Sequence, residues 1–241
     1  MIQLIISDMA GTTVKDNHEV EACFAQAAQQ TGLNMTDEEI LGAQGWAKRY
    51  VFETYWERQM GARNDEWAKQ VEHSYQTFKE ILEEHYRVAE IVPTDGTPEL
   101  FEYCRTHGIK IALTTGFYRK VADIILERLG WLDGLDSQRL GSADSIIQLS
   151  ITSDEVAQGR PAPDMIQQAM ERLGVTDLSA VLKVGDTPSD LQAGKAAGVG
   201  FTFGLTNGTH TEDQLVGFEH DQLVGSMHEV VEFLKSKETV S

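Results

Sequence analysis

The chain is poor in cysteine: of its 241 residues only Cys23 and Cys104 are of that type. They lie too far apart in sequence for a Cys-x-x-Cys metal or redox pair, and too few for a disulfide scaffold. Two free thiols fit a reducing cytosol, so a cytoplasmic location is expected. Proline is scarce as well, with five residues beside 21 glycines, which excludes a collagen-like or proline-rich low-complexity chain. Basic residues are outnumbered: Lys plus Arg is 20, Asp plus Glu is 38, and the formal net charge is -18. Such a chain lacks the positive face needed by a nucleic-acid binder or by a protein docking on an anionic membrane. No apolar run approaches the roughly 18 residues of a membrane span. The opening Met-Ile-Gln-Leu-Ile-Ile-Ser-Asp8 has no basic segment and turns polar at Asp8, so it reads as a strand and not as a signal peptide. No repeat is evident. What is present, 41% hydrophobic residues and four tryptophans, is enough to bury a core in one or two domains. The negative charge imposes one condition. An anionic substrate needs a locally positive site to overcome the overall field.

Ile2 to Ile6 is a short apolar run of the kind found in a buried parallel strand. A helix is expected over about Glu19 to Gln30, closed by Gly32, and Thr36 to Glu39 reads as a capping box before another. From Trp46 to Ala89 the sequence, without proline or strand alternation, reads as helix throughout. Pro93-Thr94-Asp95-Gly96 is a break, and the texture then changes. Helices at Pro98–His107, Arg119–Leu129, Pro163–Leu173 and Pro188–Ala197 alternate with strands at Ile109–Leu113, Val181–Val184 and Val199–Phe203. An extended stretch is expected over Ile146–Ile151 and a terminal helix over His228–Lys235. This alternation implies an α/β fold, a doubly wound, mostly parallel sheet in a Rossmann-like core. The expected core is 1–16 plus 93–241, and the helical stretch 17–92 is an inserted all-helical cap domain over the sheet. Ligands in such sheets bind beyond the carboxyl ends of the strands.

The residues just past those ends form a kit for holding an anion and a metal. Asp8 precedes a Gly11-Thr12-Thr13 turn whose backbone N–H groups could cradle a phosphoryl group. Thr115, beside Gly116, could donate to a phosphoryl oxygen, and Arg160 in Gly-Arg-Pro161 offers a fixed cation. Asp186 and Asp190, in Gly185-Asp-Thr-Pro-Ser-Asp190, are hard oxygen donors suited to Mg²⁺. Each has a bland reading taken alone. An Asp at a strand end is commonly a turn former or helix cap, Gly-Asp-Thr-Pro is a common turn, and an Arg before Pro is commonly a solvated surface residue. Their order and shared placement make the set more than its members.

Asp8-Met-Ala-Gly-Thr-Thr13, Leu113-Thr-Thr-Gly116, Arg160 and Gly185-Asp-Thr-Pro-Ser-Asp190, with a helical insert after the first of them, resemble the haloacid dehalogenase superfamily along the whole chain. The resemblance implies that Asp8 is a nucleophile forming an aspartyl-phosphate. It implies Mg²⁺ held by Asp8, Asp186 and the backbone carbonyl of Ala10, with Asp190 in support. Two departures are informative. Most phosphatases of the superfamily carry an acid/base Asp where this chain has Ala10, and their usual cation is Lys where it has Arg160. Both changes, and the strings Ala-Gly-Thr-Thr-Val14 and Lys183-Val-Gly-Asp-Thr187, are similar to the phosphonatase subfamily.

That subfamily uses a cap lysine to form a Schiff base with an aldehyde, which makes the carbon leaving group stable enough to depart without the missing acid. Spacing from Glu38-Glu39 through Gly45-Trp46-Ala47 aligns Lys48 with that lysine. Arg49 beside it, or burial beneath Trp46, is expected to lower its pKa. A helix-surface lysine beside an arginine is the plain alternative. Phosphonatases have a Met four residues before the lysine and a His three after; here they are Gln44 and Val51. His18, near the junction of core and cap, is a candidate proton carrier or a surface histidine. The aromatics Tyr50, Phe52, Tyr55, Trp56 and Trp67 read as cap packing, with an exposed subset as a candidate homodimer face, and the Glu83-Glu84 pair as solvated. The expected function is Mg²⁺-dependent hydrolysis of a small anionic 2-oxoalkyl phosphonate such as phosphonoacetaldehyde. The alternatives are a phosphomonoesterase of a small metabolite and a non-catalytic binding protein; a sugar phosphomutase is disfavoured by Ala10.

Overall fold

A computed structural model describes residues 1–43 and 46–238. The chain opens with β1 (Leu4–Asp8) and then runs through four helices, α1 (Glu19–Thr31), α2 (Asp37–Gly42), α3 (Lys48–Met60) and α4 (Asp65–Val88). It continues as α5 (Thr97–His107), β2 (Lys110–Thr115), α6 (Arg119–Arg128), β3 (Leu149–Thr152), α7 (Asp164–Leu173), β4 (Val181–Gly185) and α8 (Pro188–Ala197). It ends with β5 (Phe201–Leu205), α9 (Glu212–Leu215), β6 (Gln222–Val224) and α10 (Met227–Glu238). The six strands form one sheet in the order β3-β2-β1-β4-β5-β6, every pairing parallel.

All five residues of β1 are buried, because helices cover both faces of the sheet. Side chains alternate across it: Leu4 and Ile6 join an apolar cluster with Met165, Ile166 and Ala169 of α7, while Ile5 faces the opposite cluster with Ile111 and Leu182. That second cluster runs without interruption from the sheet into the helical insert. Within the insert, Phe24 of α1 stacks on Phe52 of α3 at 4.5 Å between ring centroids, and Phe78 of α4 packs on both at 5.4 and 5.9 Å. The Trp56 indole donates to Ser74 Oγ at 2.8 Å, so the large aromatic is buried with its polar atom satisfied.

The doubly wound sheet and the helical insert match the sequence expectation, and the Thr36–Glu39 capping box is present with both reciprocal hydrogen bonds. The long helix expected from Trp46 to Ala89 is two helices. Gly61, at φ 74°, ends α3 in a left-handed cap, and the Asn64 side chain accepts from the Trp67 N–H to start α4. Two short elements, α9 and β6, carried too little periodicity to be expected. Among the described residues, no helix is long and apolar enough to cross a membrane.

Candidate active site

Parallel pairing puts the ends of β1, β2 and β4 side by side. Asp8 aligns with Thr114, and Ser7 with both Leu113 and Val184, so Asp8, Thr115 and Asp186 leave the sheet along one edge. Asp190 is brought in by the first turn of α8. The Thr187 hydroxyl caps that helix, accepting from the Asp190 N–H at 3.3 Å and donating to Asp190 Oδ2 at 2.6 Å. Oxygen atoms of Asp8, Asp186 and Asp190 all lie within 4.8 Å of one another, and all three residues are buried.

Each carboxylate has a defined partner set. Asp186 accepts from Thr12 Oγ1 at 2.8 Å and from the Thr209 N–H at 2.7 Å. The loop bearing Gly11 presses so closely on Asp186 that a Cβ there would meet Asp186 Oδ2 at 2.1 Å, and its φ of 82° also favours glycine. Asp190 Oδ1 is paired with Lys183 Nζ at 2.7 Å and with Arg160. Burial opposes ionisation of Asp190, but Arg160 and Lys183 outweigh it and hold the carboxyl down at about 2. Asp186 is raised, by burial first and by the Asp190 charge second. Burial pushes Asp8 up to about 7, against the opposing pull of Arg160.

Arg160 therefore bridges Asp190 and Asp8, with its Nη2 atom 2.7 Å from Asp8 Oδ1. The Asp8 contact is an ion pair without hydrogen-bond alignment, so Asp8 Oδ1 is a buried acceptor with no donor. Arg160 Nε is likewise a buried donor with no acceptor. Buried polar atoms are rarely left this way unless a ligand, ion or water completes them. The hard oxygen donors and the orphaned Asp8 oxygen fit a small divalent cation beside an oxyanion.

Asp8 and Arg160, but neither Asp186 nor Asp190, line a cavity of about 20 Å³, room for about one water, together with Ala10, Asp16, Val20, Lys48, Gly116 and Phe117. A wider groove of about 780 Å³ opens on the far side of Arg160, between Ala47 and Tyr50 of the insert and Ala157 to Pro163 of the core, but it holds none of the three aspartates. Lys48 is at the start of α3, only 5% exposed, and lines the same cavity as Asp8. Burial lowers its pKa to about 8, with the Arg160 charge as the next cause. Arg49 is not that neighbour: it turns outward to Glu72 at 2.9 Å and Glu53 at 3.4 Å. Trp46 packs on Tyr50, its ring centroid 5.6 Å away.

Other expectations need adjustment. The N–H groups of Gly11, Thr12 and Thr13, expected to cradle a phosphoryl group, are engaged inside the turn with the carbonyls of Val14 and Met9. Short i+3 to i+5 geometry closes the turn on itself, and Thr12 contributes its hydroxyl to Asp186 instead. Thr115 Oγ1 accepts from the Phe117 N–H at 3.1 Å and still lines the cavity beside Gly116. His18 is outside: its side chain is 69% exposed and paired with Glu21. Val51 is buried among the insert's apolar residues, while Gln44 lies outside the described residues. Glu83 is not solvated. It is buried, accepting from the Tyr118 hydroxyl at 2.9 Å and pairing with Lys120 at 2.6 Å and Arg87 at 2.9 Å. Sequence reading also passed over Asp16 and Lys183. A lysine inside an otherwise apolar Val181-Leu-Lys-Val184 strand was the available signal for the second.

Comparison with known proteins agrees with this geometry. A family profile of haloacid dehalogenase-like hydrolases matches residues 2–198. The chain is 31% identical over 226 residues to phosphonoacetaldehyde hydrolase of Bacillus cereus strain AH187, a match covering 86% of this chain and 77% of that one. It is 33% identical over 224 residues to the phosphonoacetaldehyde hydrolase of Bacillus cytotoxicus, with the same coverage. Among solved structures, a phosphonoacetaldehyde hydrolase-like protein from Oleispira antarctica superposes with a TM-score of 0.78 at 19% identity, over 98% of this chain and 92% of that one. A hydrolase from Pseudomonas syringae gives 0.76 at 20% identity, over 97% and 98%; likeness at this level concerns the fold alone. The chain belongs to the haloacid dehalogenase-like hydrolases, in their phosphonoacetaldehyde hydrolase-like branch.

Proposed function

We propose that this hydrolase cleaves the C–P bond of a small 2-oxoalkyl phosphonate, phosphonoacetaldehyde or a close analogue, with Lys48 as imine-forming amine and Asp8 as phosphoryl acceptor. The observation that carries this reading is a buried lysine and a buried strand-end aspartate lining one cavity whose third side, at Ala10, has no acid. We take 17–92 as the cap that carries Lys48 and 1–16 with 93–241 as the catalytic core.

A C–P bond breaks heterolytically only if the carbon can accept the electron pair. The Lys48 amine adds to the substrate carbonyl and water leaves, giving an iminium two atoms from phosphorus. An Asp8 oxygen then forms the new bond to phosphorus. The C–P electron pair moves into the C=N unit as an enamine, so no proton is needed on the leaving carbon at that moment. Water later attacks the acyl phosphate and frees phosphate and Asp8, while protonation and hydrolysis of the enamine restore Lys48.

Arg160 faces the phosphoryl oxygens with its unpartnered Nε, and Asp190 with Lys183 fixes the guanidinium. Thr115 and Gly116 line the same wall. Asp8, Asp186 and the Ala10 carbonyl would hold Mg²⁺, with Asp190 in support; the ion supplies positive charge that makes an anionic phosphorus centre open to a carboxylate. Incubation with phosphonoacetaldehyde and borohydride should inactivate the enzyme and label Lys48. Undiminished phosphate release from phosphonoacetaldehyde by Lys48→Ala sinks the imine role. Hydrolysis of a small phosphate ester is the second reading, favoured by the apolar burial of Val51, which leaves that position of α3 without a proton carrier. Turnover of phosphate esters well above that of any phosphonate would establish it instead.

A further inference from the structure

The proposed imine chemistry needs a proton carrier that neither Ala10, Val51 nor the exposed His18 provides. Among the described residues lining the catalytic cavity, two carry a carboxyl: Asp8, and Asp16 on the segment that joins β1 to α1. We propose that Asp16 is the acid/base group for imine formation and hydrolysis at Lys48, an inference that rests on the imine reading.

Its position suits that work. Asp16 is half-buried, and lines the cavity with Lys48 and Asp8. One oxygen, Oδ1, accepts the Glu19 N–H at 2.9 Å in the first turn of α1, which fixes the carboxyl. Glu19 on α1 is hydrogen-bonded to it, and the titratable groups coupled to it by charge are Lys48 on α3, Asp186 beyond β4, Cys23 and Tyr86. Of the carboxylates acting on Lys48, Asp16 acts most strongly, ahead of Asp8 and Glu21. Burial, reinforced by Glu19, raises the Asp16 carboxyl to about 8, so near neutrality it still carries a proton to give.

The step balances. The neutral Lys48 amine adds to the carbonyl carbon, and Asp16 gives its proton to the carbonyl oxygen. The resulting carboxylate takes a proton from nitrogen, then returns it to the hydroxyl, which leaves as water. The products are the iminium, water and the Asp16 carboxylate, from aldehyde, amine and carboxylic acid. The reverse sequence hydrolyses the imine after C–P cleavage. Asp8 cannot serve, since its oxygen must remain a nucleophile.

Asp16→Asn keeps an acceptor for the Glu19 N–H and so keeps the helix start, but has no proton to exchange. With wild-type folding by circular dichroism, this variant should trap phosphonoacetaldehyde on Lys48 under borohydride about 100-fold or more slowly. Its phosphate release from an activated acyl phosphate, which needs Asp8 and no imine, should fall less than about threefold, a contrast that a merely structural role would not produce. Asp16→Ser, with space for a small acid, should recover part of the trapping rate when formate is added. Trapping by Asp16→Asn at the wild-type rate overturns the assignment while leaving the imine reading intact. Equal losses in trapping and acyl phosphate turnover, without formate rescue, also overturn it. Failure of the wild-type enzyme to be labelled at Lys48 overturns both.

Discussion

The two sides of the catalytic cavity are built differently. On the core side, Asp8, Arg160, Asp190 and Lys183 form one buried charge network, and Asp186 beside it is held by Thr12 and Thr209. Asp8 and Asp186 leave strand ends, Asp190 is in a capped helix turn, Lys183 is within β4 and Arg160 is on the loop before α7. On the cap side, Lys48 and Asp16 sit at the start of α3 and on the joining segment before α1. On the proposed function, the core side handles a phosphoryl group of any origin. The cap side would then decide which leaving group can be activated. On that reading, general chemistry rests on the sheet, and selectivity on side chains of the inserted helices and of the segment that leads into them.

If that division holds, damage to the core side is the more severe and does not discriminate between substrates. Asp8→Asn should lower phosphate release from phosphonates and from activated acyl phosphates alike, by about 10⁴-fold or more, since Asp8 is the proposed phosphoryl acceptor for both. Removal of divalent metal by a chelator should do the same and be reversed by Mg²⁺; retention of activity on either substrate would break the comparison. Lys48→Ala should be nearly as damaging, about 10³-fold or more, but for the phosphonate alone, because an acyl phosphate needs no imine. Parallel losses on both substrates would mean that Lys48 serves the phosphoryl group and not the leaving group.

How much of this could be read from the sequence follows the same line. The core residues announce themselves because Asp8, Thr115 and Asp186 each terminate a short apolar strand, a position that parallel sheets use for ligands. Lys48 was legible only by alignment; of the two causes expected for its depressed pKa, burial is the main one, while the charge is not Arg49, which turns to Glu72, but Arg160, 112 positions away. Asp16 was invisible for a related reason. A polar Lys15-Asp16-Asn17-His18 segment reads as an exposed joint, and nothing local says which of its side chains turns inward. Helix ends were legible where a single residue sets them, as at Thr36, and missed at Gly61, which was read as one more residue of a long helix.

Two smaller tests sharpen the contrast. Ala10 marks the place where the core side lacks an acid, so Ala10→Asp should raise turnover of ordinary phosphate esters about 10- to 100-fold while leaving the rate on phosphonoacetaldehyde unchanged or lower. No gain would show that the cap, not Ala10, keeps esters out. The pH dependence separates the sides further. A depressed lysine is mostly protonated below its pKa of about 8, and only the neutral amine adds to a carbonyl. The kcat/KM for phosphonoacetaldehyde should therefore rise up to about tenfold per unit as pH approaches 8 and fall above it as Asp16 loses the proton it must give, a peak that activated acyl phosphates do not share. For stability, the unfolded chain holds this proton up to the ordinary 10.5, so between about 8 and 10.5 it binds more protons than the folded chain and stability gained from Lys48 grows with pH. Lys48→Met, titrating nowhere, should flatten that rise in thermal melts.

The smallest effect concerns the joint between the two sides. Glu83 of α4 reaches the core at Tyr118 and Lys120, and Arg128 donates to the Tyr86 carbonyl at 2.9 Å on the same helix. Tyr118 directly follows Phe117, which lines the cavity, so this clamp bears on the wall that Thr115 and Gly116 form. Its core partners Tyr118 and Lys120 lie far along the chain from Glu83, which is why the glutamate reads as solvated from its own helix alone. Glu83→Ala removes one buried acceptor and two partly exposed ion pairs. The loss should be about 1 kcal/mol, a few degrees in Tm, because exposed charges are already well solvated and the Tyr118 hydroxyl keeps the Lys79 carbonyl as an acceptor at 3.3 Å. Phosphate release should fall less than about tenfold on phosphonate and acyl phosphate equally, since the clamp holds the wall and touches neither leaving group nor phosphorus. A loss confined to the phosphonate would instead place α4 with Lys48 and Asp16, and would move the boundary between general chemistry and selectivity from the cavity into the cap–core joint.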